Sequence, residues 1–168
     1  MSQAKIDLLI EQLEKARAET LAKAEATPEA ARMKQLAPGK GTPLWFIGHL
    51  GNTVNTIVLC WILGLPSVLK REDAIKFSPD IAGGTPPTDD PADYPDWDTV
   101  VANYDKILGM AIDGLKTQLQ DDDLEKPMER APEMFQAFFG NIGGALKQMV
   151  NHDAYHRGQV GLLISLDK

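Results

Sequence analysis

Between Gly41 and Leu69 the chain carries no Asp, Glu, Lys or Arg. A segment that long without charge has two ways to fold. It crosses a membrane, or it is a helix that its own protein covers on several sides. Crossing needs about 20 mostly apolar residues. Here Pro43, His49, Asn52, Thr53, Asn55, Thr56 and Pro66 interrupt the run, and its longest unbroken apolar piece is Ile57 to Leu63. Polar groups in lipid have no water to bond. The segment therefore reads as a buried helix, and other helices must be packed around it. Thr42-Pro43 supplies a start, an N-cap followed by proline at the first helical position, and Gly64 with Pro66 supplies the stop near Leu63.

Three more helices meet that need. From about Lys5 to Ala26, Ile6, Leu9, Ile10, Leu13, Ala16, Thr20, Leu21 and Ala24 recur at helical spacing. Arg17 falls off this stripe and is expected to face solvent. Glu11 with Lys15, and Glu19 with Lys23, form i,i+4 pairs on the outer side. Thr27-Pro28 predicts a short second piece running to Leu36, ended by Pro38-Gly39. A helix from Asp96 to about Gln120 buries Trp97, Val100, Val101, Tyr104, Ile107, Leu108, Ala111, Leu115 and Leu119. The last runs from Asn141, a candidate N-cap, to about Leu166, with Gly143 and Gly144 weakening its first turns. Residues 66–95 hold six prolines and Gly83-Gly84, so they read as a long connection with one helical turn around Ser67–Ala74. Asp121-Asp122-Asp123 reads as a solvated turn, since it lacks the spaced ligands of a calcium loop. Pro127 and Pro132 mark another loop.

No strand pattern competes, so the fold class is all-α and the expected architecture a four-helix bundle over a single domain, 1–168. Short links make neighbouring helices antiparallel, whereas a connection of about thirty residues can travel the bundle's length. An up-down-down-up order with a long helix 2–helix 3 crossover follows. The net charge of −7 and the absence of a basic run argue against nucleic acid and anionic membrane as partners. Cys60 stands alone and cannot form an internal disulfide, which suggests a reducing compartment. The opening MSQAKIDLLIEQLEKAR has no signal-peptide core, so a cytoplasmic protein is expected.

The chain has only three histidines. His152 and His156 form an HxxxH on one helix, and four residues turn about 400°, so both imidazoles project from one face. Together they can hold one ion, and His49, about two turns into the second helix, completes a three-nitrogen set if the helices touch. Three protein ligands leave coordination positions for water or substrate, as a catalytic site requires. The competing reading is packing: exposed HxxxH pairs that hold nothing, and a core His49 bonded to a backbone carbonyl.

The neighbours divide the same way. Gln159, at i+3 from His156, either orients a metal-bound water or substrate, or is a surface glutamine. Asn52 and Thr53 are candidates to support His49, or buried polar groups satisfied within the bundle. Asp153 and Arg157 lie about 100° off the histidine face and read as helix support. Asp153 stands where a zincin protease has Glu, and its shorter side chain argues against that reading. Tyr104 and Tyr155 either supply a proton or pack half-buried, while Trp45, Trp61 and Trp97 read as core or interface and not as a ligand cage. Cys60, about 16 Å along the helix from His49, reads as a small buried residue. Met128, Met134, Phe135, Phe138 and Phe139 either wall a pocket mouth or cap the bundle.

The strings TPLWFIGHLGNTVNTIVLCWILGLP at 42–66 and NIGGALKQMVNHDAYHRGQVGLL at 141–163 resemble the DinB/YfiT-like superfamily of four-helix metalloenzymes. Trp45 to Leu50 is similar to that family's W-x-x-x-H-L segment, and His152 to Gln159 to its H-x-x-x-H-x-G-Q segment. The resemblance implies that His49, His152 and His156 bind a divalent metal ion, zinc or nickel and sometimes iron. It also implies a homodimer, for which the uncharged second helix offers surplus apolar surface. Characterised relatives include transferases that use low-molecular-weight thiols. The expected function is a metal-dependent thiol S-transferase acting on small electrophiles; the alternative is a non-catalytic metal-binding stress-response dimer.

Overall fold

A computed structural model describes residues 4–79 and 83–166. Expectations touching residues 1–3, 80–82 and 167–168, namely the first residues of the N-terminal segment, the middle of the 66–95 connection and the ends of the 1–168 domain, lie outside the described residues. Those described form helices and connections with no strand among them: α1 (Lys5–Glu25), α2 (Pro43–Val54), α3 (Arg71–Lys76), α4 (Trp97–Gln118), α5 (Glu133–Phe139) and α6 (Ile142–Ser165).

The start signals at Thr42 and Asn141 act as read, and Asp96, read only as the approximate start of a helix, also caps one. The Thr42 side chain accepts from the Trp45 amide at 3.0 Å, Asp96 from Thr99 at 2.9 Å and Asn141 from Gly144 at 2.8 Å, each satisfying a donor the first turn leaves unpaired. The uncharged helix is one rod in two geometries, because α2 continues directly into a π-helical stretch over Asn55–Ile62. Nothing in the apolar pattern predicts that looser winding. Gly64 ends it at φ 68°, a conformation that favours glycine.

Helix α1 packs on α4 and α6, and α2 packs on the same two helices from the other side. Gly51 lies against Tyr104 and Leu63 against Gly114, while His49 faces His152 and Phe46 faces His156. Side chains from all four long helices meet in one apolar cluster, with Val58, Leu59, Ile107, Leu115, Ala145 and Leu146 at its centre.

The polar residues that interrupt the uncharged segment explain why it is no membrane span. Asn55, fully buried, donates to Ser67 Oγ at 2.9 Å and accepts from the Val68 amide at 2.8 Å. Asn52 donates to the Ala74 carbonyl and to Ser78 Oγ, both at 3.1 Å. These bonds pull the following connection back along α2. With α4 and α6, that connection covers the helix: nearly every residue from Gly41 to Leu63 is buried within its own chain. Among the described residues, no helix is long and apolar enough to cross a membrane.

Several local expectations are corrected. Arg17 is only partly solvent-facing; its guanidinium bonds Asp105 at 2.7 Å and ties α1 to α4. Glu19 reaches Arg157 of α6 at 2.7 Å, and not the expected Lys23. Thr27 does not cap a second helix but donates to the Lys23 carbonyl at 2.8 Å, closing α1; only a single turn, Glu29–Ala31, follows. The helical turn of the long connection lies at Arg71–Lys76, later than expected. The Asp121 carboxylate is more than a solvated turn, since it accepts from the Lys5 and Ile6 amides and caps α1 from a distant part of the chain. The loop after Pro132 contains α5. Its Phe135 packs on Trp61 at the far end of α2 from His49, so the Met and Phe group caps the bundle end, with Phe138 left 69% exposed. Cys60 is only half-buried.

Candidate metal centre

Two helices bring the three histidines together. His49 lies within α2, His152 and His156 one turn apart on α6. The Nε2 atoms of His49 and His152 stand 3.1 Å apart, and those of His152 and His156 2.9 Å apart. One ligand nitrogen from each ring lies within 4.8 Å of the other two. Imidazoles bonded to a common ion at about 2.0–2.1 Å, with angles between octahedral and tetrahedral, place their nitrogens about 2.9–3.4 Å apart. The two Nε2 separations fall in that range.

The proton inventory points the same way. The Nδ1–H of His49 donates to the Phe77 carbonyl at 2.8 Å, and the Nδ1–H of His156 donates to the Gln159 side-chain carbonyl at 2.5 Å. Each ring therefore turns a bare Nε2 lone pair toward Nε2 of His152. One proton on His152 can serve only one of them. A cation at the centre satisfies all three, so the donor set fits a divalent metal ion.

Electrostatics keep the set ready. Burial drives His49 down to about 4; the bond to the Phe77 carbonyl opposes this and the charge of His156 adds to it. Burial, then His49 and His156, drive His152 down to about 3. His156 is also lowered by burial, against the bond to Gln159. At neutral pH all three rings are uncharged, the form a metal requires.

Neighbouring side chains fix the rings. Trp45, one turn before His49, stacks on it with centroids 4.6 Å apart and planes 10° from parallel, while its indole N–H holds the Lys76 carbonyl at 3.0 Å. Phe46 stacks on His156 at 5.0 Å. Gly48 admits Phe77: a Cβ there would sit 2.3 Å from the Phe77 ring. Asn52 anchors the segment that delivers the Phe77 carbonyl, so its support for His49 runs through the main chain. Thr53 donates to the His49 carbonyl at 2.8 Å. Gln159 holds the His156 ring in its tautomer, the support that metal-bound histidines commonly have. Tyr155 touches His156 edge-on from an exposed position.

Asp153 exceeds its expected part as helix support. It is 5% exposed and accepts from Thr20 Oγ1 and the Tyr104 hydroxyl, each at 2.8 Å, and from Arg157. This joins α1, α4 and α6 beside His152. Tyr104 is fully buried, and burial together with the Asp153 charge pushes its hydroxyl far above the ordinary phenol range, so it is not a proton source. Burial raises the Asp153 carboxyl, against the bonds from Tyr104, Thr20 and Arg157.

Sequence reasoning missed Phe77, Trp45 and Asp153 as supports. Phe77 acts through its carbonyl and leaves no side-chain signal. Trp45 sits at i−4 from His49, a spacing that places it over the ring. Asp153 falls on the apolar stripe Leu146, Met149, Val160 and Leu163, where a lone charge marks a satisfied buried group.

A cleft of about 570 Å³ lies beside the centre, and Trp45, Phe46 and Gln159 belong to its wall. The molecule is thus an all-helical protein whose three-imidazole cluster fits a divalent metal ion. A family model for the DinB superfamily matches residues 12–160, and the chain belongs to that superfamily. A search of curated proteins finds no match.

Proposed function

We propose that this chain is a metal-dependent enzyme, a thiol S-transferase acting on small electrophiles, with His49, His152 and His156 as the ligands of zinc or nickel, or less commonly iron. The carrying observation is the meeting of three Nε2 lone pairs beside a cleft large enough for an organic molecule. A divalent ion held by His49, His152 and His156 would lower the pKa of a thiol and so would favour its anion at neutral pH. The chain's residues prepare the site. Phe77 and Gln159 fix the tautomers of His49 and His156, and Trp45 and Phe46 cover the ring faces against water. The side-chain pairs between helices support an up-down-down-up bundle. Elemental analysis of protein purified without a histidine tag, followed by assay of the metal-loaded protein with a panel of cellular thiols and electrophiles, tests the reading. It predicts one ion per chain and turnover that His152→Ala abolishes; turnover that survives this substitution overturns it.

One observation favours the second reading, a non-catalytic metal-binding dimer. The Asp153 carboxylate, on the residue next to His152, and the Tyr104 phenol are bonded to each other and offer no general base. On that reading chelation lowers thermal stability and no thiol is consumed.

A further inference from the structure

The cleft beside the histidines has a chemistry of its own. Its walls are largely apolar, with Leu36, Pro86, Pro87 and Leu163 among them beside Trp45 and Phe46. Leu36 is 57% exposed, a large apolar side chain left at the rim. Water or a bare ion needs no such volume or lining, whereas a small organic molecule does. Among the described residues of the wall, Lys40 alone is charged. The chain as a whole is acidic, with 24 carboxylates against 17 basic residues.

The backbone holds that lysine in place. The Lys40 amide donates to the Ala37 carbonyl at 3.1 Å, and Gly39 turns the chain at φ 77°. Gly41 lies so close to the two aromatic rings that a Cβ there would meet Phe46 and Trp45 at 2.7–2.8 Å. The loop therefore rests on the same rings that stack on His49 and His156. Across the cleft, the Gln35 side chain donates to the Pro87 carbonyl at 3.2 Å and joins the two loops that form its sides.

We infer that this cleft binds an apolar molecule carrying one anionic group, its flat body against Trp45 and Phe46 and its anion at Lys40. Resting on the enzyme reading above, this names the substrate class: the electrophile is an apolar anion, with its far end at Gln159, the wall residue bonded to His156. A neutral molecule of the same shape forgoes the lysine, and a dianion has no second cation among the described wall residues.

The test is calorimetric titration of the full chain with 2-naphthoate and with neutral 2-naphthamide. Naphthoate binds one per chain and more tightly than the amide. Lys40→Glu weakens naphthoate by about tenfold or more, as expected when an attractive charge becomes a repulsive one, and leaves the amide unchanged. Leu36→Glu, a substitution at a residue 57% exposed that leaves the core intact, removes an apolar wall contact and adds a repulsive charge, so it weakens naphthoate more than the amide. Equal binding of the two compounds, naphthoate binding indifferent to both substitutions, or no naphthoate binding at millimolar concentration overturns the inference. Metal content of the same samples reports separately on the centre. Naphthoate binding that persists in His152→Ala protein leaves the cleft assignment standing even if the metal reading fails.

Discussion

The Nδ1–H of His49 points at the Phe77 carbonyl, 2.8 Å away, and this one bond decides which nitrogen His49 offers to the centre. Phe77 is held in turn by the segment that Asn52, through Ala74 and Ser78, and Trp45, through Lys76, bind to α2. The ligand and its support thus come from one helix and the connection folded back on it.

Asn52→Ala should loosen that segment. The Ala74 carbonyl keeps its bond from Ser78, so the cost in stability is about 1–2 kcal/mol, that of a buried side-chain hydrogen bond or two. Metal affinity should fall by up to about 10-fold, the low end of the effect of removing a group bonded directly to a ligand, because Asn52 acts through the main chain that carries the Phe77 carbonyl. Competition titration with a zinc chelator reads the second effect and urea unfolding of the apo protein the first.

His152→Ala removes the nitrogen on which the other two converge. Zinc or nickel binding should weaken by more than about 100-fold, beyond the loss expected for a supporting residue. The apo protein should keep its helical circular dichroism, since the group removed is one of three facing lone pairs.

Acid should weaken the apo fold through these rings. His49 is held near 4 in the folded chain against about 6.5 when unfolded. Between those values the unfolded chain takes up the proton and the folded chain does not, so stability is full above pH 6.5 and falls as pH drops toward 4. At pH 5 His49 alone accounts for roughly 2 kcal/mol. Urea midpoints at pH 7.5 and pH 5 should diverge more for the natural chain than for His49→Gln. An equal pH dependence would show that the ring is not held neutral.

Asp153→Ala should be the most damaging single change near the centre. It strands the Tyr104 hydroxyl, Thr20 and one arm of Arg157 in a buried position. Breaking a buried charged pair by removing one partner costs about 3–5 kcal/mol. Tyr104→Phe, which removes one donor and leaves the carboxylate bonded by the others, should cost about 1–2 kcal/mol. Chemical denaturation of both variants checks the order.

Much of this was legible in one dimension. Helical spacing of Ile6 to Ala24 and of Trp97 to Leu119, and the caps Thr42, Asp96 and Asn141, are local properties, because a capping side chain and its amide lie three residues apart. The HxxxH face is equally local, since four residues make about one turn whatever surrounds them. The parts that sequence reading missed depend on distant pieces of chain. Asp121 caps a helix that begins 116 residues earlier, and Arg17 meets Asp105 across 88.

By itself, then, the sequence determined the four long helices, the caps Thr42 and Asn141, and the shared face of His152 and His156, because those follow from backbone geometry over a few residues. It also required a covered helix at 41–69, because uncharged surface of that extent must leave water. Only the tertiary structure decided that His49 faces that pair, that Phe77 and Gln159 choose the tautomers, and that Asp153 is buried between three helices. Those facts depend on how far one packed helix is rotated and slid against another, and no short stretch of sequence encodes that relation.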